Sequence, residues 1–417
     1  MKKIRIGIFG AWRGFHLSNS LMLNDAEIVA ICDHNEERLK VASEKTHCDA
    51  LFTSFDEFIE HPMDAVLIAN HFHEHTPYAI RALEKGIHVL SECTSNGTMA
   101  EGVALIRAAE KSKAIYMLCE NYPHMKFNRE MKRVVDGGTL GKIMFAEGEY
   151  NHPGNPWDAG FKNDFVRFPK HWRNTLPASY YITHSLAPIM YATGSIPKTV
   201  TSFNITIPEE KDVPVSKLHS DKTAIVMTHN NDNSVFRVTG CASFGGHGNS
   251  YRICGTEGMI ENLRGMGEKI MLRYNKWTLP EGAEETNFYE PSWNDKDEEL
   301  INKAGHGGGD FLVIREFLNC IREGRKPDFD VYFATTMASV AIQAHRSALN
   351  GGMPYEIPDF HTEEARKKYE NDHDTPFYYL DGREPNIPYG TDPSYKPTES
   401  QYQKYLDMIK DNNFDIK

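Results

Sequence analysis

Three things are scarce in this sequence. No apolar run approaches the roughly 20 residues that a membrane-spanning helix needs. The opening MKKIRIGIFGAW loses its apolar character at Arg5, so it reads as a strand and not as a secretory leader. The seven cysteines are scattered without paired spacing, which suits a reducing compartment better than a disulfide framework. Positive charge is in deficit: the formal net charge of −12 argues against nucleic acid, whose phosphates require a basic face. No internal repeat is present. The expected setting is the cytoplasm, with neither membrane nor nucleic acid as partner.

What is there is periodicity. At 417 residues the chain suits two domains with an added tail. Up to residue 121, continuous apolar strands (KIRIGIFG, AEIVAICD, MDAVLIAN, IHVLSE, AIYMLCEN) alternate with amphipathic helical segments. That alternation predicts a doubly wound parallel sheet, a Rossmann domain over 1–121. Ligands of such sheets bind at the carboxyl ends of the strands, where Gly10, Asp33, Asn70, Glu92 and Asn121 fall. From Tyr122 strand-like segments bunch without intervening helices, and two helical patterns follow them. An α/β domain on a large, mainly antiparallel open sheet is expected over 122–360. The polar remainder, 361–417, reads as an extended arm on this or a neighbouring subunit, or as a disordered tail.

GIFGAWRGFH follows the first strand and opens a helix, the setting of a phosphate-cradling loop. Gly10 and Gly14 are separated by Ala11, Trp12 and Arg13, so the loop is one residue short and lacks its middle glycine. Asp33 ends the second strand, where a carboxylate accepts from an adenosine ribose diol and repels a ribose phosphate, favouring NAD over NADP. The same residue could cap the helix that opens at NEERL. His71, His73 and His75 alternate in NHFHEHTP and could share a metal. They follow the strand end, however, and contact with cofactor or substrate is the preferred reading, with no metal assigned.

The order of Gly-rich turn, Asp33, AVLIAN…H…AIRALEKGIHVLSE, MLCEN and VVDGGTLGKIMFAEGEY resembles the glucose–fructose oxidoreductase, inositol dehydrogenase and rhizopine catabolism (Gfo/Idh/MocA) family. The likeness runs from about Lys3 to Phe360. It implies NAD as cofactor and a sugar or cyclitol as substrate. Members usually end the fourth strand in Glu-Lys-Pro, whose lysine assists removal of the hydroxyl proton. Here Cys93 and Thr94 follow Glu92. CENYP, EGEYNH, WRNTLPASYYITHSLAPI and GHGGGDF look like the branch of NAD-dependent α-N-acetylgalactosaminidases, which also lack that lysine.

Carried onto these positions, the resemblance implies catalytic roles for His184, Tyr181, Tyr150 and Glu120. Cofactor contacts are expected from Gly10, Ala11, Trp12, Arg13, Gly14, Asp33, Arg38, Asn70, His71, His75, Glu92, Asn121, Trp172 and Arg173. Cys93, Thr94, His152 and His306 are expected to line the substrate pocket. The function expected first is NAD-dependent oxidation or reduction at a ring hydroxyl carbon of a sugar or glycoside. The alternative is the branch's reaction, which by resemblance oxidises carbon 3, expels the group on carbon 1 and restores the hydride, and a further one is a non-catalytic dinucleotide-binding protein. His184 is the first choice for the hydroxyl proton, and Tyr181 or Tyr150 for the carbon acid. Asp310 reads as a helix cap. The open sheet face suggests a homo-oligomer.

Overall fold

The computed structural model describes residues 3–155, 170–207, 213–215 and 217–411. Its first sheet is built from β1 (Ile4–Phe9), β2 (Ala26–Cys32), β3 (Leu51–Phe52), β4 (Ala65–Ile68), β5 (His88–Ser91) and β6 (Tyr116–Leu118). Their spatial order is β3-β2-β1-β4-β5-β6, all parallel. The two-residue β3 is too short to show a period, so this sixth strand was not among the five expected. β4 is buried at every position, as a central strand covered on both faces must be.

The connecting helices are α1 (Ala11–Leu23), α2 (Glu36–Thr46), the single turn α3 (Phe55–Phe58), α4 (His75–Glu84) and α5 (Met99–Lys111). Local chemistry fixes their starts. Thr98 and Glu101 form a reciprocal capping box on α5. α2 is capped by Asn35, whose side chain accepts from the Arg38 amide; Asp33 has another task, described below.

α6 (Lys126–Asp136) leads into the second domain. Its sheet comprises β7 (Ile143–Asn151), β8 (Pro197–Thr206), β9 (Asp221–Asn230), β10 (Val235–Thr239), β11 (Gly248–Gly255), β12 (Gly258–Asn262), β13 (Ile270–Tyr274), β14 (Thr286–Tyr289) and β15 (Tyr355–Glu356). The order β14-β13-β12-β11-β7-β10-β9-β8-β15 is antiparallel except for the β10–β7 pair. Helices Thr183–Thr193 and Val331–Leu349 cover one face of it. The other face carries a charge lattice in which Glu147 bridges Arg237 and Arg252, and Glu149 meets Arg264.

The arm lies on its own chain. After the helix Glu363–Tyr369 it crosses to the Rossmann domain, where His73 Nε2 lies 2.9 Å from the Tyr378 carbonyl and the Leu380 amide donates to Glu74. It returns to the second domain, where Thr391 donates to Asp221. Arg346 grips Asp372 with both guanidinium arms.

Candidate active site

The short glycine turn folds as a helix start. Gly10 takes φ of 96°, and a Cβ there would lie 2.3 Å from the Ala69 carbonyl oxygen. Gly14 faces inward, where a Cβ would lie 2.3 Å from Ile8, so its role is close helix–strand packing. Asp33 closes the turn: one carboxylate oxygen accepts from the Ala11 amide at 2.8 Å and the other from the Asn35 amide at 2.9 Å. Trp12, 59 % exposed, sits outside under the Arg38 guanidinium.

At the strand ends of the Rossmann sheet stand Asn70, Glu92, Glu120 and Asn121. Arg13 reaches across from α1 to Glu92 at 2.7 Å and lies 4.0 Å from Asp310. Two side-chain oxygens at this rim, Oδ1 of Asn70 and Oδ1 of Asn121, are buried without a hydrogen-bond partner. Unmet acceptors beside a helix whose Gly10 cap has no side chain and whose first turn holds no acid fit a dinucleotide, whose hydroxyls and pyrophosphate need a partner of each kind.

The second domain supplies the other wall. His184 lies in the first turn of the helix Thr183–Thr193, and its Nδ1 is 2.8 Å from Glu120 Oε1. The carboxylate thus accepts a hydrogen bond from Nδ1–H, the tautomer assigned from this contact, and leaves Nε2 as the basic nitrogen. Burial works to raise the Glu120 pKa, but His184, Cys93 and the Tyr122 amide together hold it below the usual carboxylate range. Tyr122 stacks on the imidazole with centroids 4.0 Å apart, while Tyr150 and Tyr181 meet it edge-on.

Burial pushes both phenols well up from their ordinary pKa; Arg173 pulls Tyr181 down by less. Without a bound substrate they are hydrogen-bond donors, not bases. Arg173 packs on Trp172, which stacks on Phe72 with centroids 5.1 Å apart.

A second imidazole–carboxylate pair flanks Tyr122. His306 Nδ1 is 2.9 Å from Asp310 Oδ2, and Asn121 donates to Asp310 Oδ1. Asp310 therefore does not cap its helix; Gly308 occupies the cap position. Its pKa is set by burial, which raises it, against His306, Arg13 and Asn121, which prevail and lower it.

His75 is 1 % exposed; its Nδ1 is 2.8 Å from the Thr94 carbonyl, which braces the turn after β5, and its Nε2 is buried without a hydrogen-bond partner. His152 lies just past the end of β7, 3.0 Å from His247, and its ring stacks on Tyr150 with centroids 5.8 Å apart. His71 meets His171 edge-on, and burial first, then His34, lowers its pKa to about 4. Among the described residues no group of three or more His, Cys, Asp or Glu is placed to hold a metal. Tyr122, Phe72 and the arm were not expected at the site. Tyr122 left a trace in CENYP; the arm left none.

Comparison with known proteins converges on the same architecture. Residues 4–119 match the profile described as oxidoreductase family, NAD-binding Rossmann fold, and residues 128–261 the GFO/IDH/MocA C-terminal domain. The chain belongs to the Gfo/Idh/MocA oxidoreductase family. Residues 208–368 also match the C-terminal domain of glycosyl hydrolase 109. A glycosyl hydrolase family 109 protein of Akkermansia muciniphila is 25 % identical over 406 residues, covering 86 % of this chain and 83 % of the relative. An alpha-N-acetylgalactosaminidase of Shewanella oneidensis is 22 % identical, covering 86 % and 85 %. Levoglucosan dehydrogenase, solved with NADH and L-sorbose, superposes with a TM-score of 0.71 at 17 % identity, over 86 % of this chain and all of that one. This family member thus pairs an NAD-binding domain with an open-sheet domain. No helix among its described residues is long and apolar enough to cross a membrane.

Proposed function

We propose that the protein is an NAD-dependent enzyme that acts on a ring hydroxyl of a sugar or glycoside. The observation that carries this reading is the 2.8 Å His184–Glu120 pair at the strand ends, where the Rossmann rim and the second domain meet. Asn70, Glu92, Asn121 and the amides opening α1 would hold NAD, whose nicotinamide supplies a hydride acceptor when bound. His184 Nε2 takes the hydroxyl proton, and Glu120 stabilises the imidazolium that results. Tyr181 and Tyr150 donate to substrate oxygens, and Arg173 on its Trp172 platform offers charge to a developing alkoxide.

A second reading, redox-neutral cleavage of a glycoside through transient oxidation at carbon 3, is favoured by the His306–Asp310 pair. It places a second proton carrier across Tyr122 from the first, and a leaving group and a ring hydroxyl each need one. The glycosyl hydrolase 109 relatives support it. The bare sheet face supports self-association, and the seven free thiols a reducing compartment.

The test is incubation of protein and NAD with a panel of nitrophenyl glycosides and free sugars, reading nitrophenol and reduced nicotinamide together. Reduced nicotinamide in step with substrate consumption supports net oxidation; nitrophenol without it supports the cycle. Neither product from any sugar, in protein shown to bind NAD, would sink both readings.

A further inference from the structure

Cys93 stands one residue past Glu92, at the end of β5. The residue is 7 % exposed, and its Sγ lies 3.1 Å from Glu120 Oε2. Glu120 is fully buried, so each of its oxygens must find its donors within the protein. Oε1 has two, His184 Nδ1 at 2.8 Å and the Tyr122 amide at 3.2 Å. Among the described residues Oε2 has one, the Cys93 thiol.

We propose that Cys93 is a positioning residue of the His184–Glu120 pair, its S–H donating to Glu120 Oε2 and thereby limiting the pull of that carboxylate on the His184 imidazolium. This inference rests on reading His184 as the base. The thiol is suited to the task because it keeps its proton: burial, then the charges of Glu120 and Glu92, push its pKa well above the usual thiol value. A lysine would bring a full positive charge and form an ion pair with Glu120. A thiol gives one weak hydrogen bond and leaves the net charge of the pair unchanged.

The other groups around the pair do not take over this bond. Along the Rossmann rim, Glu92 is held by Arg13 and Cys119 is a buried thiol. Tyr122 presents its ring face to the imidazole, and His306 lies beyond it. From the second domain, Tyr150 and Tyr181 contribute ring edges, and the Tyr251 hydroxyl donates to the His184 carbonyl.

The experiment uses the full chain labelled with 13C-histidine, the His184 resonance being the one lost in His184→Asn. Loss of a hydrogen bond to a charged group should raise the His184 pKa in Cys93→Ala by roughly half a unit to one unit. Cys93→Ser, whose hydroxyl can donate to the same oxygen, should restore it. The acid limb of kcat/KM should move up with it while NAD affinity stays constant. Independently, the Cys93 S–H infrared band should lie at the lowered frequency of a thiol donating to a carboxylate, and rise in Glu120→Gln. An unchanged His184 titration in Cys93→Ala, or a band at the free-thiol position, would overturn the inference. Should Cys93→Ala fail to fold, the infrared band and the Cys93→Ser titration decide the matter. If His184→Asn keeps full activity, the base reading falls by itself, since the titration and the band report the thiol contact without reference to turnover.

Discussion

The Phe377 ring lies nearly parallel to the His73 imidazole, with centroids 4.5 Å apart. On its other side it meets Tyr180 edge-on at 5.1 Å. A single arm residue is thus wedged between the loop after β4, which carries His71 and Phe72, and the segment that presents Tyr181 and His184. Phe377 is fully buried, and removing a buried phenyl costs about 3–5 kcal/mol. Phe377→Ala should therefore lower the unfolding midpoint and weaken NAD binding about tenfold, 1.4 kcal/mol. Denaturant titration and fluorescence titration with NAD check the two effects; Phe377→Leu should recover most of both.

The same crossing carries a pH dependence. Burial, more than the nearby Asp381 and Glu101, raises the Glu74 carboxyl to about 7, against the relief given by the Leu380 amide and Arg383. A folded pKa raised above the unfolded one means that the native state binds the proton more tightly. Stability from this group is complete below the unfolded value and declines as pH rises through about 7. Glu74→Gln should flatten that decline and stabilise the protein at pH above the transition by roughly 1–3 kcal/mol. Melting curves across the acid-to-neutral range measure it, and an unchanged slope would contradict the assignment.

His184→Asn and Glu120→Gln should each lower kcat by about 10²–10⁴, the range for loss of a general base. NAD affinity should hold within about twofold, since neither residue is needed to bind the nucleotide. The split separates a proton-transfer role from a binding role. A loss confined to KM would refute it.

Restoring the lysine that many relatives of this family carry should harm this protein. In Cys93→Lys the ammonium would pair with Glu120 and draw it from His184, and the rate should fall at least about tenfold. A gain in activity would show that the proton is handled at the strand end and not by the second domain.

Asp33 bonds the Ala11 amide within a one-residue-short loop. Asp33→Ala should therefore destabilise the fold by about 1–3 kcal/mol, the cost of orphaned buried donors, besides weakening NAD binding. Calorimetry without nucleotide isolates the first effect.

The parallel sheet was legible because its strands are mainly apolar runs that alternate with amphipathic segments, and the central ones, as in AVLIAN, close on a polar residue. Residues at those strand ends could be listed, but their partners could not. Nothing in the spacing of Glu120 and His184 says that they touch, because the contact is made by two domains meeting. Asp310 looked like a cap because its place in the chain is that of a cap; Asn121 and His306, distant in sequence or set by a positive φ, claim it instead. The arm was expected, but where it docks was unreadable for a different reason. Its anchors, Phe377, the Tyr378 carbonyl and the Leu380 amide, are one ring and two backbone groups, which leave no periodic mark.

The arm's place in chain order has a consequence for biogenesis. Both sheets are translated before the segment that backs the cleft, so a ribosome-bound chain can fold its domains with the β4 loop still uncovered. Ribosomes stalled with both sheets emerged but the segment around Phe377 still inside the exit tunnel should carry folded but catalytically idle protein, and competence should arrive only with the final stretch of synthesis.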